Sequence, residues 1–109
     1  MNKRFWDQDR QRWNGHAAFN TVNHHHISCY SPAAGHDDCD LMVVECADGH
    51  WYVEDNYGSD AQGAEEVWNP YDPNAGEPHF FGNQADAFAH AVAVVARICG
   101  VPESSVSTI

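Results

Sequence analysis

Two apolar runs around a turn signal decide the fold. Residues 41–54 read LMVVECADGHWYVE, and the dipeptide Asp48-Gly49 lies between the runs. Asp-Gly tolerates the positive φ angles that a tight turn between antiparallel strands demands. The stretch therefore predicts a β-hairpin that turns at Asp48-Gly49.

A helix is predicted over residues 83–99. Asn83 is a favourable N-cap, Asp86 follows three residues later to interact with the exposed amides of the first turn, and Gly100 and Pro102 end the helix. The apolar face that is expected to pack on the hairpin consists of Phe88, Val92, Val95 and Cys99. Alanines on the same helix allow its backbone to approach a sheet closely.

The central part of the chain predicts further strands separated by loops. Alternating residues over 18–30 are typical of a strand, and 65–69 is predicted to be another. Residues 31–40, 56–64 and the proline-rich 70–78 carry turn-forming and helix-breaking residues, so these are predicted to be loops.

The N-terminal segment is predicted to form a short helix over 3–14. Trp6, Arg10 and Trp13 recur there at near-helical intervals, and Gly15 follows as a stop. Together the elements predict an α+β fold, with a three- or four-stranded antiparallel sheet, one C-terminal helix packed across it and a short N-terminal helix. A chain of 109 residues, 43% of them hydrophobic, suits a single small acidic domain over 1–109.

Charge is distributed unevenly along the chain. The formal net charge is −11, and residues 37–86 hold 13 acids with no Lys or Arg, whereas residues 1–12 carry four cations and two acids, a net +2. A domain of this sign repels nucleic acid and suits a basic partner. The basic segment either packs on its own domain by charge attraction or forms part of a contact surface.

The location of the protein is predicted from its apolar stretches and cysteines. The longest apolar stretch, 85–99, is interrupted by Asp86, His90 and Arg97, and no leader-like pattern precedes the domain. Four cysteines without CxxC spacing are typical of reduced thiols. We therefore expect a cytoplasmic protein without a membrane contact.

Clustered carboxylates are the candidate binding residues. We expect a basic partner to contact Asp37, Asp38, Asp40, Glu54, Asp55, Asp60, Glu65 and Glu66. Trp6 and Trp13 are candidate aromatic anchors, because large aromatic side chains dominate many protein interfaces. The other large aromatics are expected in the core between sheet and helix, namely Trp51, Tyr52, Trp68, Phe80, Phe81 and Phe88.

The chain resembles small acidic inhibitors encoded by phages and mobile elements, anti-CRISPR proteins above all. The resemblance is one of size and acidity, and the clustered carboxylates named above carry it. It also resembles bacterial immunity proteins that neutralise basic nuclease toxins. The first resemblance implies a non-enzymatic inhibitor that imitates the phosphate backbone and blocks the nucleic-acid-binding site of an effector complex in a bacterial host cell. On this interpretation no catalytic residue, cofactor or metal is expected.

Histidines and cysteines are concentrated between residues 24 and 50, and imidazole and thiolate are the ligands that zinc takes. They are His24, His25, His26, Cys29, His36, Cys39, Cys46 and His50. The cysteines are ten and seven residues apart, whereas zinc motifs pair their ligands two to four residues apart. The spacing favours surface histidines and small buried thiols over a metal site.

A metal-dependent nuclease is the alternative from a different functional class. His25, His26, Asp40 and His50 resemble the core of HNH nucleases, in which such residues supply metal ligands and a general base. The sequence departs from that pattern, because His50 leads into a strand-like run and not a helix. The absence of Lys and Arg over 37–86 also opposes phosphate binding.

Overall fold

The computed structural model describes residues 3–31, 36–55 and 67–108, and the fold is α+β as predicted. Short 3₁₀ turns lie at Lys3–Phe5 and Glu103–Ser105. The other elements, in chain order, are β1 (Trp6–Asp7), β2 (Arg12–Trp13), α1 (Gly15–Phe19), β3 (Thr21–Ser31), β4 (His36–Cys46), β5 (Trp51–Asp55), α2 (Gln84–Cys99) and β6 (Ser107–Thr108).

The predicted hairpin is confirmed. Strands β4 and β5 pair antiparallel, with Glu45 opposite Trp51 next to the turn. Gly49 adopts a φ of 92°, and the Asp48 side chain accepts a hydrogen bond of 3.0 Å from the amide of His50. Both members of the Asp-Gly pair therefore perform the roles that the turn requires.

The predicted C-terminal helix is confirmed, but its buried face is rotated by about one residue position. The Asn83 side chain accepts a hydrogen bond from the amide of Asp86, and Gly100 ends α2 with a φ of 66°. The fully buried positions are Ala87, Ala91, Val94, Val95 and Ala96. Because small alanines let the helix backbone approach the sheet, the larger predicted residues, Phe88 and Val92 among them, lie at the edge of the contact and are only partly buried.

One four-stranded antiparallel sheet, in the order β5-β4-β3-β6, forms the middle of the domain. Strands β3 and β4 are each eleven residues long and pair from Thr21 opposite Cys46 to Ser31 opposite His36. The prediction of a loop over 31–40 was therefore wrong for 36–40, where backbone pairing outweighs the polar side chains that suggested a loop. The predicted strand at 65–69 also differs, since its described part contributes a single bridge, Trp68 beside Glu54.

The N-terminal segment forms a small β-hairpin, and the prediction of a helix over 3–14 was wrong. Trp6 pairs with Trp13 across β1 and β2. The turn between them is held by the Asp7 side chain, which accepts hydrogen bonds from the amides of Asp9 and Arg10. Local side-chain bonding of this kind competes with helix formation, and here it outweighs the helical spacing.

The sheet is covered on both faces. Helix α2 packs on one face, over a core that includes Ile27, Leu41 and Val53. The N-terminal hairpin and the irregular chain over 67–81 cover the other face, over a second core that consists of Trp13, Val44, Cys46, Tyr52 and Trp68. The expectation that Tyr52, Trp68 and Phe80 lie between sheet and helix was therefore wrong, because these side chains belong to the second core.

Within the described residues, no helix combines the length and the apolar character that a membrane crossing requires.

Candidate functional site

A buried ion pair joins the N-terminal hairpin to the sheet. Arg12 Nη2 lies 3.5 Å from Glu54 Oε1, and the exposed fractions of the two side chains are 25% and 4%. Arg12 also stacks on the ring of Tyr71 and donates to its hydroxyl at 3.3 Å. Arg12 therefore connects three segments that are distant in sequence.

Trp13 holds the same hairpin in place through its backbone and its ring. Its amide donates to the carbonyl of Pro70 at 2.7 Å, and its indole N–H donates to the carbonyl of Asp72 at 2.8 Å. Trp13 is 3% exposed, so it cannot act as the surface anchor that the sequence suggested. Trp6, half-buried, packs edge-on against Trp13 with ring centroids 5.2 Å apart.

An open groove of about 510 Å³ lies beside this ion pair. Glu54 belongs to its lining, and its polar rim includes Asp7, Arg10, His16, Thr21, Asn23 and His24. Apolar lining comes from Trp13, Met42, Val44 and Tyr52. The groove thus combines hydrophobic walls with a few charged groups, which is the usual composition of a ligand site.

The groove exists in this form because residue 15 is a glycine. A Cβ placed on Gly15 would lie 2.5 Å from the Tyr52 hydroxyl and 3.8 Å from Glu54 Oε2. Gly15 therefore lets the start of α1 lie directly against these two side chains. Burial raises the pKa of the Tyr52 hydroxyl, and the nearby Glu54 carboxylate raises it further.

One oxygen of Glu54 lacks a hydrogen-bond partner. Oε2 is buried and accepts no hydrogen bond in the part of the chain that the structure describes, while Oε1 faces Arg12. Burial raises the pKa of Glu54 above its ordinary value, although the charge of Arg12 opposes that change. An unpartnered buried carboxylate oxygen is costly, and a donor from a ligand would offset that cost.

Comparison of the chain with family models, curated proteins and solved structures finds no match.

The predicted acidic residues do not form one exposed surface. Glu54 and Asp55 are 3% and 4% exposed, and Asp40 is 8% exposed. Their strand positions face the two cores, so these three carboxylates do not contribute to the exposed acidic surface that the sequence suggested. Asp37 and Asp38 lie on β4, and the structure describes their backbone but not their side chains. Asp60, Glu65 and Glu66 lie outside the described residues.

Of the four residues of the HNH-like pattern, only His26 and Asp40 are brought together. The His25 ring stacks on Trp51 and contacts Phe88 of α2 edge-on, whereas His26 Nδ1 lies 3.3 Å from Asp40 Oδ1. His50 lies at the hairpin turn, beyond the end of β4 at Cys46. Cys46 lies six residues after Asp40 along the extended strand, and such a segment spans about 20 Å. The His50 ring lies 2.9 Å from Asp48, and this hydrogen bond lowers the pKa of Asp48. Among the described side chains no cluster of potential metal ligands is found.

Cys29 and Cys46 are buried free thiols. Cys46 is buried, and burial together with the neighbouring Asp48 and Glu45 raises its pKa to about 11. A thiol with so high a pKa carries little thiolate near neutral pH and is a poor nucleophile. Cys46 is therefore not an activated nucleophile.

Arg12, Gly15 and Tyr52 are the groove residues that the sequence did not single out. The signal that points to Arg12 is the charge contrast between a basic start and an acidic remainder, which predicted packing by charge attraction as one of two outcomes. The Arg12–Glu54 ion pair shows that the basic segment packs on its own acidic domain. Gly15 allows close contact with Tyr52 and Glu54 of β5, and no residue near Gly15 in the sequence indicates that contact.

Proposed function

We propose that the protein is a non-enzymatic inhibitor that binds a positively charged, nucleic-acid-binding surface of another protein in the cytoplasm of a bacterial cell. The observation that carries this proposal is a net charge of −11 on 109 residues. A compact domain with this charge attracts a basic surface and competes with the phosphates that normally occupy it.

The distribution of the charges supports the proposal. Arg12, one of only five Lys and Arg residues, is directed inwards against Glu54 and contributes little positive field to the surface. Carboxylates remain exposed on several sides of the described chain, at Asp9, Asp48, Asp72, Glu77, Asp86 and Glu103. Asp37, Asp38, Asp60, Glu65 and Glu66 remain the proposed contact residues.

Such a contact depends on several carboxylates acting together. Each exposed ion pair contributes only about 0.2–1 kcal/mol, and salt at physiological strength screens charges beyond about 8 Å. Charges at the rim of an interface act mainly by accelerating association. Binding is therefore expected to weaken steeply with salt and to respond to grouped substitutions more than to single ones.

The experiment is a capture followed by a displacement assay. The immobilised protein is exposed to a bacterial lysate at about 50 mM salt, and bound proteins are eluted at about 300 mM salt, at which surface charges are more strongly screened. A captured protein is purified, bound to a fluorescent oligonucleotide and titrated with the acidic protein. The proposal predicts that the oligonucleotide is displaced at low salt.

Two sets of variants make this assay specific. The variant Asp37→Asn/Asp38→Asn/Glu65→Gln/Glu66→Gln is expected to displace the oligonucleotide at least tenfold less effectively. The control Arg4→Gln/Arg97→Gln removes exposed cations outside the groove and is expected to act as well as the parent or better. Equal activity of all three proteins, with no effect of salt, would show that the acidic surface serves solubility only.

The same experiment separates the related functions. Capture of a basic nuclease whose activity is then suppressed would assign the protein to toxin immunity. Nicking of plasmid DNA by the pure protein with added Zn²⁺, Ni²⁺ or Mg²⁺ would instead support the metal-dependent nuclease and contradict the proposal.

A further inference from the structure

We propose that the groove beside Arg12 and Glu54 holds the guanidinium group of an arginine side chain from the basic partner, with an N–H that donates to Glu54 Oε2. This inference rests on the proposed function and specifies one anchor of the contact. It concerns a site that is separate from the exposed carboxylates.

The unsatisfied oxygen defines what the groove lacks. The Glu54 side chain is 4% exposed, and Oε2 accepts no hydrogen bond within the described residues. A carboxylate offers about four lone-pair positions, and the described contacts use one of them, on Oε1. A ligand that provides N–H donors therefore fits this oxygen better than one that provides only acceptors.

The geometry of the existing pair favours a guanidinium in particular. Glu54 already receives one guanidinium, that of Arg12, on Oε1 at 3.5 Å. A carboxylate between two arginines is an arrangement that occurs in folded proteins. A planar guanidinium has five donors and is more weakly hydrated than an ammonium, so less hydration is lost on entering a partly buried site.

The walls of the groove suit the rest of an arginine side chain. Val22, which is 60% exposed, and the half-buried Met42 provide apolar surface along the groove, against which a three-carbon stem can pack.

The charges around the groove allow an additional cation. Arg10, which also lines the groove, has a side chain that is 79% exposed and is held by Asp7 at 3.7 Å, so its charge is largely screened by water. Arg12 is engaged by Glu54 and Tyr71. The charged residues that line the groove balance, with Asp7 and Glu54 against Arg10 and Arg12, and the net charge of −11 on the chain attracts an incoming cation.

The test is an NMR titration of the isotopically labelled protein, with no partner present. The probe is N-acetyl-arginine-N′-methylamide, and the control probe is the citrulline analogue, which has the same shape but no charge. We expect saturable shifts of the Gly15 amide and of amides in β5, with a Kd on the order of 1–10 mM for so small a ligand. The citrulline analogue should bind at least tenfold more weakly.

Variants and contacts locate the binding. Glu54→Gln keeps the side-chain shape and should weaken binding of the arginine probe at least tenfold, whereas Glu103→Gln, which removes the same charge from an exposed position, should change it less than twofold. In the parent protein, NOEs should connect the probe to the Met42 methyl group and the Tyr52 ring. These NOEs require no variant, so the test does not depend on whether Glu54→Gln folds.

Several results would overturn the inference. They are the absence of saturable shifts, equal binding of the arginine and citrulline probes, equal losses in Glu54→Gln and Glu103→Gln, and the absence of NOEs to groove residues. Because this titration contains no partner, its failure leaves the salt-dependent displacement of nucleic acid untouched. Conversely, a failure of displacement with successful probe binding would reject the inhibitor function and retain the groove as a guanidinium site.

Discussion

Removal of Arg12 is the most informative single perturbation of this structure. Arg12→Met keeps most of the aliphatic stem but leaves Glu54 buried without its ion-pair partner. Breaking a buried pair from one side costs about 3–5 kcal/mol. Since the Arg12 side chain is 25% exposed and the N–O distance is 3.5 Å, we expect a smaller loss of unfolding free energy, about 2–3 kcal/mol at pH 7.

The pH dependence of this loss follows from the pKa of Glu54. Burial raises the pKa of Glu54 in the folded protein, and removal of Arg12 eliminates the charge that opposes this rise. A raised carboxyl pKa means that the folded state binds the proton more tightly, so stability falls as pH rises from the ordinary value near 4.5 through the raised pKa. The cost of Arg12→Met should therefore be smaller at pH 5 than at pH 7.

Urea unfolding of four proteins measures the contribution of the pair. The parent, Arg12→Met, Glu54→Gln and the double variant form a cycle, and we expect a coupling free energy of about 1–2 kcal/mol at pH 7. The exposed Arg10 provides the control, and Arg10→Gln should cost less than about 1 kcal/mol. Arg12→Met could lower the unfolding free energy equally in the parent and in the Glu54→Gln background, or equally at both pH values. Either result would show that the ion pair with Glu54 does not stabilise the fold.

Further predictions concern packing, thiol reactivity and charge. Gly15→Ala should lower the unfolding free energy by about 1–3 kcal/mol, since its Cβ would lie 2.5 Å from the Tyr52 hydroxyl; unchanged urea midpoints would contradict that contact. Phe88→Ala should cost about 1–2 kcal/mol, less than the 3–5 kcal/mol typical of a fully buried Phe, and a larger loss in urea melts would contradict a position at the edge of the helix contact. Cys46, with a pKa raised to about 11, should resist iodoacetamide at pH 8 in the folded protein, and alkylation as fast as in urea would show that it is accessible and ionised. Affinity for a basic partner should fall as salt rises from about 50 to 300 mM, and an unchanged affinity would contradict a charge-driven contact.

The elements with strong local signals were predictable from the sequence. The Asp48-Gly49 turn and the Asn83 cap depend on residues within three positions of each other, so their conformations are specified locally. The rotation of α2 was not predictable in this way, because the contact is set by how closely Ala87 and Ala91 approach the sheet. The spacing of large apolar residues therefore predicts a more deeply buried Phe88 than the structure shows.

The second core depends on long-range contacts that the sequence signals only weakly. The continuous run Trp51–Tyr52–Val53 is typical of a strand buried on both faces, which is how β5 lies in the structure. What covers the second face could not be predicted, since Trp13 reaches Pro70 and Asp72 across more than 50 residues. The burial of Glu54 follows from the same packing, and acidity alone gave no indication that this carboxylate faces inwards.

The displacement assay tests the central claim most directly. A nucleic-acid-binding protein captured at low salt is held with a fluorescent oligonucleotide and titrated with the acidic protein at about 50 and 300 mM salt, with fluorescence anisotropy as the readout. We expect complete displacement at low salt, a marked loss of displacement at high salt, and a further loss when Asp37, Asp38, Glu65 and Glu66 are neutralised together. A stable ternary complex with the oligonucleotide still bound, or displacement that neither salt nor neutralisation alters, would contradict the claim.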